Sequence, residues 1–235
     1  MLIIIWPPIS SWADNERPSF HSLRYQEDYR FLKNQKQGTD FFDPLKYIPI
    51  NSSGSLYLTL GGETRQHFEF IDNNNWGKGT QDGDGYYLQR YLGHADVHVG
   101  DRTRLFFQLM AGVETGRNGG PRGVDKDSLA VNQGFIDFKL WDESKQSFTL
   151  RAGRQEIVFG SRRFFNYRER PNMRLSHDAV NGIFRKDKWD VRAFLVRPAT
   201  LNPHVFDNDS GPAKTVWGRY GVRKKLPFSL NADLY

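Results

Sequence analysis

Residues 103–114 read Thr-Arg-Leu-Phe-Phe-Gln-Leu-Met-Ala-Gly-Val-Glu, and the fold class can be inferred from their pattern. Every second residue is apolar, and these residues are Leu105, Phe107, Leu109, Ala111 and Val113. The residues between them include Arg104, Gln108 and Glu114. Because successive side chains of a β-strand point to opposite faces, this alternation predicts a strand with one apolar and one polar face.

The same two-residue period recurs along the chain and predicts nine strands. They are expected at residues 56–70, 85–99, 103–114, 129–140, 148–159, 178–185, 189–197, 215–224 and 228–235. Residues 14–50 lack the period, and the turn signal Asn51-Ser52-Ser53-Gly54 separates them from the first strand. We therefore expect an all-β fold with a short N-terminal segment that is not strand.

The connections between the predicted strands alternate in length. Short ones lie at 100–102, 141–147, 186–188 and 225–227, and long ones at 71–84, 115–128, 160–177 and 198–214. A barrel of the bacterial outer membrane has this arrangement, with short periplasmic turns and long extracellular loops. The short turns are flanked by aromatic residues, as in an interfacial girdle, namely Trp141, Phe148, Trp189 and Phe228. We expect an antiparallel up-and-down transmembrane β-barrel, integral to the bacterial outer membrane.

A soluble β-protein is the alternative interpretation. A sandwich or a lipocalin-like barrel would also alternate apolar and polar residues, but it has no reason to sort its loops by length. In that case the chain would be a secreted domain that binds carbohydrate.

Composition excludes several other classes. The longest apolar run, 2–9, is interrupted by Pro7 and Pro8, whereas a membrane-spanning helix needs about 20 apolar residues. The absence of cysteine excludes a disulfide framework, a thiolate nucleophile and a cysteine-based zinc site. The net charge of +6 comes from 21 Arg and 12 Lys against 27 acidic residues, which favours an anionic partner. Interleaved arginines and aromatics also suit single-stranded nucleic acid, but an exported chain with sorted loops argues against that partner.

The two ends of the chain carry further expectations. Residues 1–13 end in small residues, with Ser11 and Ala13 at the −3 and −1 positions of a cleavage site, so we expect a truncated signal peptide. An ordinary hydrophobic tail is the alternative. Residues 14–54 are then a periplasmic N-terminal segment, and 55–235 the barrel region. Bacterial barrels normally have an even strand number, so nine strands predict an incomplete barrel.

Several motifs together resemble one family. The motifs lie at 25–32, 39–49, 60–65 (Leu-Gly-Gly-Glu-Thr-Arg), 88–96 (Leu-Gln-Arg-Tyr-Leu-Gly-His-Ala-Asp), 119–122, 150–156 (Leu-Arg-Ala-Gly-Arg-Gln-Glu) and 170–174 (Arg-Pro-Asn-Met-Arg). In combination they resemble the alginate-export-type outer-membrane porins. The resemblance implies an 18-stranded barrel, of which this chain would supply the N-terminal half. It also implies passage of an anionic uronate polysaccharide or oligosaccharide, with no enzymatic activity, no cofactor and periplasmic export partners.

Charged residues in the polar phase of the strands are the candidates for the path through the lumen. They are Arg65, Arg90, Arg104, Arg151, Arg192, Arg219 and Arg223, to which Arg154 and Glu156 are added because they lie beside the kink expected at Gly153. A guanidinium group suits a uronate because it binds carboxylates in a bidentate way and stays charged. The alternative is that these charges only pair with acidic residues across the strands. A porin for other anionic solutes, such as small carboxylates or aromatic acids, would have the same wall.

The connection at 160–170 is basic and aromatic. Its candidates for constricting the path or capturing sugar rings are Arg162, Arg163, Phe164, Phe165 and Tyr167. The alternative is an exposed loop that contacts outer-membrane lipid and lipopolysaccharide. No metal site is expected, because His94 and His98 lie about 13 Å apart on one strand and the Asp82 loop lacks the closing Glu of a calcium loop.

Overall fold

A computed structural model describes residues 19–34, 40–211, 214–224, 226–227 and 231–234. Its strands are β1 Ile48–Pro49, β2 Leu56–Ile71, β3 Asp82–Val99, β4 Thr103–Thr115, β5 Asp127–Glu143, β6 Gln146–Gln155, β7 His177–Lys186, β8 Trp189–Pro198, β9 Val216–Arg223 and β10 Ala232–Leu234. They form one sheet in chain order, and every neighbouring pair is antiparallel. The predicted all-β, up-and-down topology is confirmed.

Helical structure is confined to short segments of the described chain. They are the α-helix α1 Asp43–Lys46 and the 3₁₀ turns Arg24–Gln26, Arg30–Asn34 and Asn74–Gly77. The first two 3₁₀ turns and α1 belong to the N-terminal segment that precedes β2.

The strands agree with the sequence-based ones to within three residues at most ends, and three places differ in other ways. The two-residue strand β1 was not predicted, because two residues carry no periodicity. The strand expected at 148–159 ends at Gln155, where the chain turns away from the sheet after Gly153, whose φ is +125°. Of the last predicted strand, 228–235, the structure assigns Ala232–Leu234 to a strand, and 228–230 and Tyr235 lie outside the described residues.

The connections between β2 and β9 alternate in length as predicted, whereas the predicted short turn at 225–227 falls in the connection 224–231, of which only part is described. Residues 100–102, 144–145 and 187–188 are the short turns between strand pairs, whereas 72–81, 116–126, 156–176 and 199–215 are long. Two of the predicted girdle residues, Trp141 and Phe148, stack at a centroid distance of 4.8 Å beside the turn at 144–145. Trp189 lies beside the turn at 187–188, and Phe228 lies outside the described residues.

The two faces of the sheet differ in polarity. We call one the covered face, because residues 19–34 and 156–176 pack against it. Buried polar side chains on it are Arg90, His94, Asp96, Gln108, Gln133, Asp137, Arg151 and Asn181. We call the other the apolar face, and large exposed residues on it are Phe68, Phe70, Tyr87, Tyr91, Leu105, Phe107, Phe138, Leu140, Val180, Leu195 and Trp217. A soluble β-protein buries its apolar face, so this inverted arrangement favours a barrel whose apolar side contacts lipid.

Candidate functional site

Five of the predicted path arginines share the covered face. They are Arg65 on β2, Arg90 on β3, Arg104 on β4, Arg151 on β6 and Arg192 on β8. The strand registers place them in the same phase as the buried polar residues. They divide into one group near the short turns and another near the long connections.

Arg104, Arg151 and Arg192 line a cavity of about 580 Å³ near the short turns. The cavity is basic, since eight of its lining residues are Arg or Lys and four are Asp or Glu. The basic residues are Arg30, Lys33, Arg102, Arg104, Lys139, Arg151, Arg185 and Arg192. One side of it carries a stack of rings, in which Tyr57 lies 4.7 Å from Tyr47 and 4.5 Å from His98.

The three path arginines of this cavity each have a carboxylate partner. Arg104 donates to Asp96 at 2.7 Å, and Arg151 donates two hydrogen bonds of 2.7 Å to Asp137. Arg192 donates to Asp190 at 3.2 Å. The pairing that the sequence offered as an alternative is therefore present. It lowers the positive charge of the cavity without cancelling it.

Arg65 and Arg90 belong to a buried charge network at the other end of the covered face. Arg90 is fully buried and bonds Glu63 at 3.0 Å and also Glu169. Arg65 donates to the carbonyl oxygens of Glu169 at 2.5 Å and Arg170 at 3.3 Å. These arginines therefore hold the connection at 156–176 against the sheet.

Arg174 completes this network and was missed by sequence reasoning. Its guanidinium donates to Glu169 at 2.6 Å and lies 3.5 Å from Glu63, and its side chain is almost completely buried. The motif at 170–174 contains it, but a loop residue has no strand phase from which its direction could be predicted. Its burial beside the three carboxylates of Glu63, Glu156 and Glu169 is a tertiary feature.

The basic connection at 160–170 divides into a packed part and an exposed part. Tyr167 is buried beneath the guanidinium of Arg174, 5.0 Å from its ring, and Phe165 packs against the cluster around Phe159. Arg162, Arg163 and Phe164 are exposed, and Phe164 has 71% of its surface accessible. Of the five predicted capture residues, two are therefore packing residues and three are exposed, with Arg162 lying 5.6 Å from the ring of Tyr167.

Glu156 lies directly after β6 and is fully buried. Its Oε1 accepts a hydrogen bond of 2.7 Å from Asn132, and its Oε2 lies 3.7 Å from Arg174. Burial raises the pKa of the Glu156 carboxyl from 4.5 to about 7, although Arg174 acts in the opposite direction. Glu156 therefore joins the interior network under the connection at 156–176.

Three predicted path residues lie on the opposite face, which corrects their assignment. Arg219 and Arg223 alternate with Tyr220, which pairs with Arg192 and stacks on Phe159 at 4.9 Å on the covered face. The burial of Tyr220 sets the phase of β9 and turns both arginines to the apolar face. Arg154 pairs with Asp178 at 2.8 Å at the end of β6, in phase with Ala152 and not with Arg151.

Residues 19–34 lie across the covered face, a placement that their irregular sequence did not predict. Tyr25 packs edge-on against Phe106 and Phe135, at centroid distances of 5.9 and 5.3 Å. Its hydroxyl donates to the carbonyl oxygen of Glu156 at 3.2 Å, and burial raises its pKa. This segment therefore belongs to the site.

The described residues contain no group of three or more His, Asp or Glu side chains arranged to hold a metal ion. Within the same part of the chain, no helix is both long and apolar enough to span a bilayer.

Comparison with known proteins identifies the family. The model of the alginate export family matches residues 56–226, which include β2 to β9 and most of the chain. Comparisons with curated proteins and with solved structures give no match. The match covers the sheet and the connections that build the site, and it agrees with the resemblance found in the motifs. The chain therefore belongs to the alginate export family of outer-membrane porins, a family of transport proteins.

Proposed function

We propose that the chain forms part of a passive path for an anionic uronate saccharide, either alginate-like polymer or its oligosaccharides. In this proposal the covered face lines the lumen and the apolar face contacts lipid. The single observation that supports it is the basic cavity, whose eight basic and four acidic lining residues include Arg104, Arg151 and Arg192. Without the residues of the segment 19–34, the lining still has six basic and two acidic residues.

The pairing of these arginines suits transport better than tight binding. A carboxylate on the substrate would share a guanidinium that already has an acidic partner, such as Arg192 with Asp190. Such sites attract an anion weakly and release it readily, which a conducting path requires. The excess of basic residues raises the local concentration of an acidic polymer.

The orientation follows from the lengths of the connections. Short turns face the periplasm and long connections face the outside in this class of barrel. The basic cavity then lies on the periplasmic side, where export partners would deliver the polymer. The exposed Arg162, Arg163 and Phe164 lie on the outer side, where they would contact lipopolysaccharide or the leaving saccharide.

Planar-bilayer recordings of the complete protein test the proposal with a matched pair of variants on β8. Arg192→Gln removes a charge from the cavity, whereas Arg197→Gln removes one from the opposite face of the same strand, where Arg197 bonds Thr215. We expect anion selectivity in the wild type and current block by uronate oligomers. Arg192→Gln should weaken the block by uronate oligomers about two- to fivefold, which corresponds to the interaction energy of one solvent-screened charge pair. Arg197→Gln should leave the block unchanged.

Three results would contradict the proposal: cation selectivity, no block by uronate oligomers at any concentration, or equal effects of the two variants. Block by benzoate or acetate at the same concentrations as uronate oligomers would instead identify a path for small carboxylates.

A further inference from the structure

We propose that residues 19–34, which we call the strap, are a removable plug that closes the path along the covered face. The inference rests on the proposed function, because it assigns a regulatory element to the same path. The contacts of the strap, its anchoring residue and the way its backbone is held all support it.

The strap crosses several strands and reaches the connection at 156–176. Arg24 donates to Glu63 on β2 at 3.1 Å, and Tyr25 contacts Phe106 on β4 and Phe135 on β5. At its other side, Arg174 donates to the carbonyl oxygen of Ser22 at 3.1 Å. A segment in this position occupies the space that a polymer moving along the covered face would need.

Tyr25 anchors the strap on the covered face. Its ring lies 4.3 Å from the guanidinium of Arg151, which is also 4.0 Å from the ring of Phe135. Its hydroxyl donates to the carbonyl of Glu156, as a sugar hydroxyl could. Tyr25 therefore fills a slot with an aromatic wall, a guanidinium and a carbonyl acceptor. A pyranose ring and its carboxylate could use the same groups once the tyrosine has left.

The backbone of the strap is not integrated into the sheet. Among the described residues, its backbone–backbone hydrogen bonds are all internal, from Gln26 to Leu23, from Glu27 to Arg24 and from Leu32 to Tyr29, and its one backbone contact with the rest of the chain is the side-chain bond from Arg174 to Ser22. Its buried apolar residues are few, namely Leu23, Tyr29 and Leu32 besides the seated Tyr25. Segments held by side chains, with few buried apolar contacts, open at lower cost than paired strands. The strap can therefore leave without breaking a strand pair.

A reversible crosslink between strap and sheet tests the plug, because the same protein sample can be measured before and after reduction. The chain contains no cysteine, so two introduced cysteines have no competing thiol in it. Arg24→Cys with Glu63→Cys replaces the contact between strap and β2 by a disulfide. The control is Gln66→Cys with Gln89→Cys, which joins β2 to β3 on the apolar face, where the two amides lie 2.9 Å apart and are register partners. Mass spectrometry verifies each crosslink, and a short reducible bis-maleimide replaces the disulfide if none forms.

The measurement is single-channel conductance of the complete protein in potassium chloride, before and after reduction. We expect a severalfold rise in conductance when the strap lock is reduced, and no change for the control. Equal conductance of the verified locked and reduced strap variants would overturn the plug. Because this readout needs no saccharide, it separates failure of the plug from failure of the proposed function, which would show as no uronate block of the reduced form.

Discussion

Arg151 on β6 and Asp137 on β5 are register partners, and the guanidinium donates two hydrogen bonds of 2.7 Å to the carboxylate. Both side chains are almost fully buried. The same guanidinium lies 4.3 Å from the ring of Tyr25 and 4.0 Å from the ring of Phe135. One ion pair thus joins two strands and supports the seat of the strap, so it contributes to the fold as well as to the charge of the cavity.

Breaking this pair from one side should cost more than removing both charges. Arg151→Gln leaves Asp137 buried without its partner, and we expect a loss of about 3–5 kcal/mol in the free energy of unfolding. Adding Asp137→Asn removes the unpaired charge of the carboxylate and should restore part of the lost free energy of unfolding. Urea unfolding in detergent micelles measures each variant and yields the coupling energy. Additive effects of the two substitutions would show that the pair is not coupled.

Glu156 should give the protein a pH-dependent stability. Its pKa is about 7 in the folded chain and 4.5 when exposed, so the folded state binds the proton more tightly. Its contribution is therefore fully present below pH 4.5 and is lost as the pH rises to about 7, by roughly 3 kcal/mol. We expect Glu156→Gln to be more stable than the wild type at pH 8. Its free energy of unfolding should also lack the decrease that Glu156 causes between pH 4.5 and about 7. Unfolding curves from pH 4.5 to 8 test it, and an unchanged slope would contradict the assignment.

Gly153 should tolerate no side chain. Its φ is +125°, and a Cβ there would lie 2.3 Å from the carbonyl oxygen of Gly134. Gly153→Ala therefore combines a strained backbone with a clash against a neighbouring strand, and we expect a loss of about 2 kcal/mol or more. Gly93→Ala on β3 is the control, because a Cβ there meets nothing within 4 Å. Similar unfolding midpoints for the two variants would rule out this explanation.

The two-residue period predicted β2 to β5 and their faces because those strands are long and their polar and apolar phases are distinct. It failed on β9, where Val216, Tyr220 and Val222 form the more apolar phase. Local polarity assigned that phase to lipid. The packing of Tyr220 on Phe159 from the connection at 156–176 turned it to the covered face. A single sequence contains no information on such a partner.

Only those residues of the site that lie on β-strands could be predicted from the sequence. Arg65, Arg90, Arg104, Arg151 and Arg192 could be placed on one face because their direction follows from the strand phase. The strap and Arg174 could not, since irregular segments have no period and their directions depend on distant contacts. Arg174 bonds Ser22 from 152 positions away. The motif that contains Arg174 was visible, but its burial was not.

The assignment of the apolar face to lipid predicts a depth-dependent cost for a charge on β4. Leu105 and Leu109 are the same residue type in the same phase of this strand, with Leu105 near the short turn and Leu109 at its middle. If the face contacts the bilayer, Leu109→Arg should cost about 2–4 kcal/mol and Leu105→Arg about 0–1 kcal/mol. Folding into lipid vesicles, followed by heat-modifiable gel mobility, measures both. A face that contacts water would accept the two arginines at equal cost, so equal stability of the two variants would disprove the lipid assignment, whatever substrate the path carries.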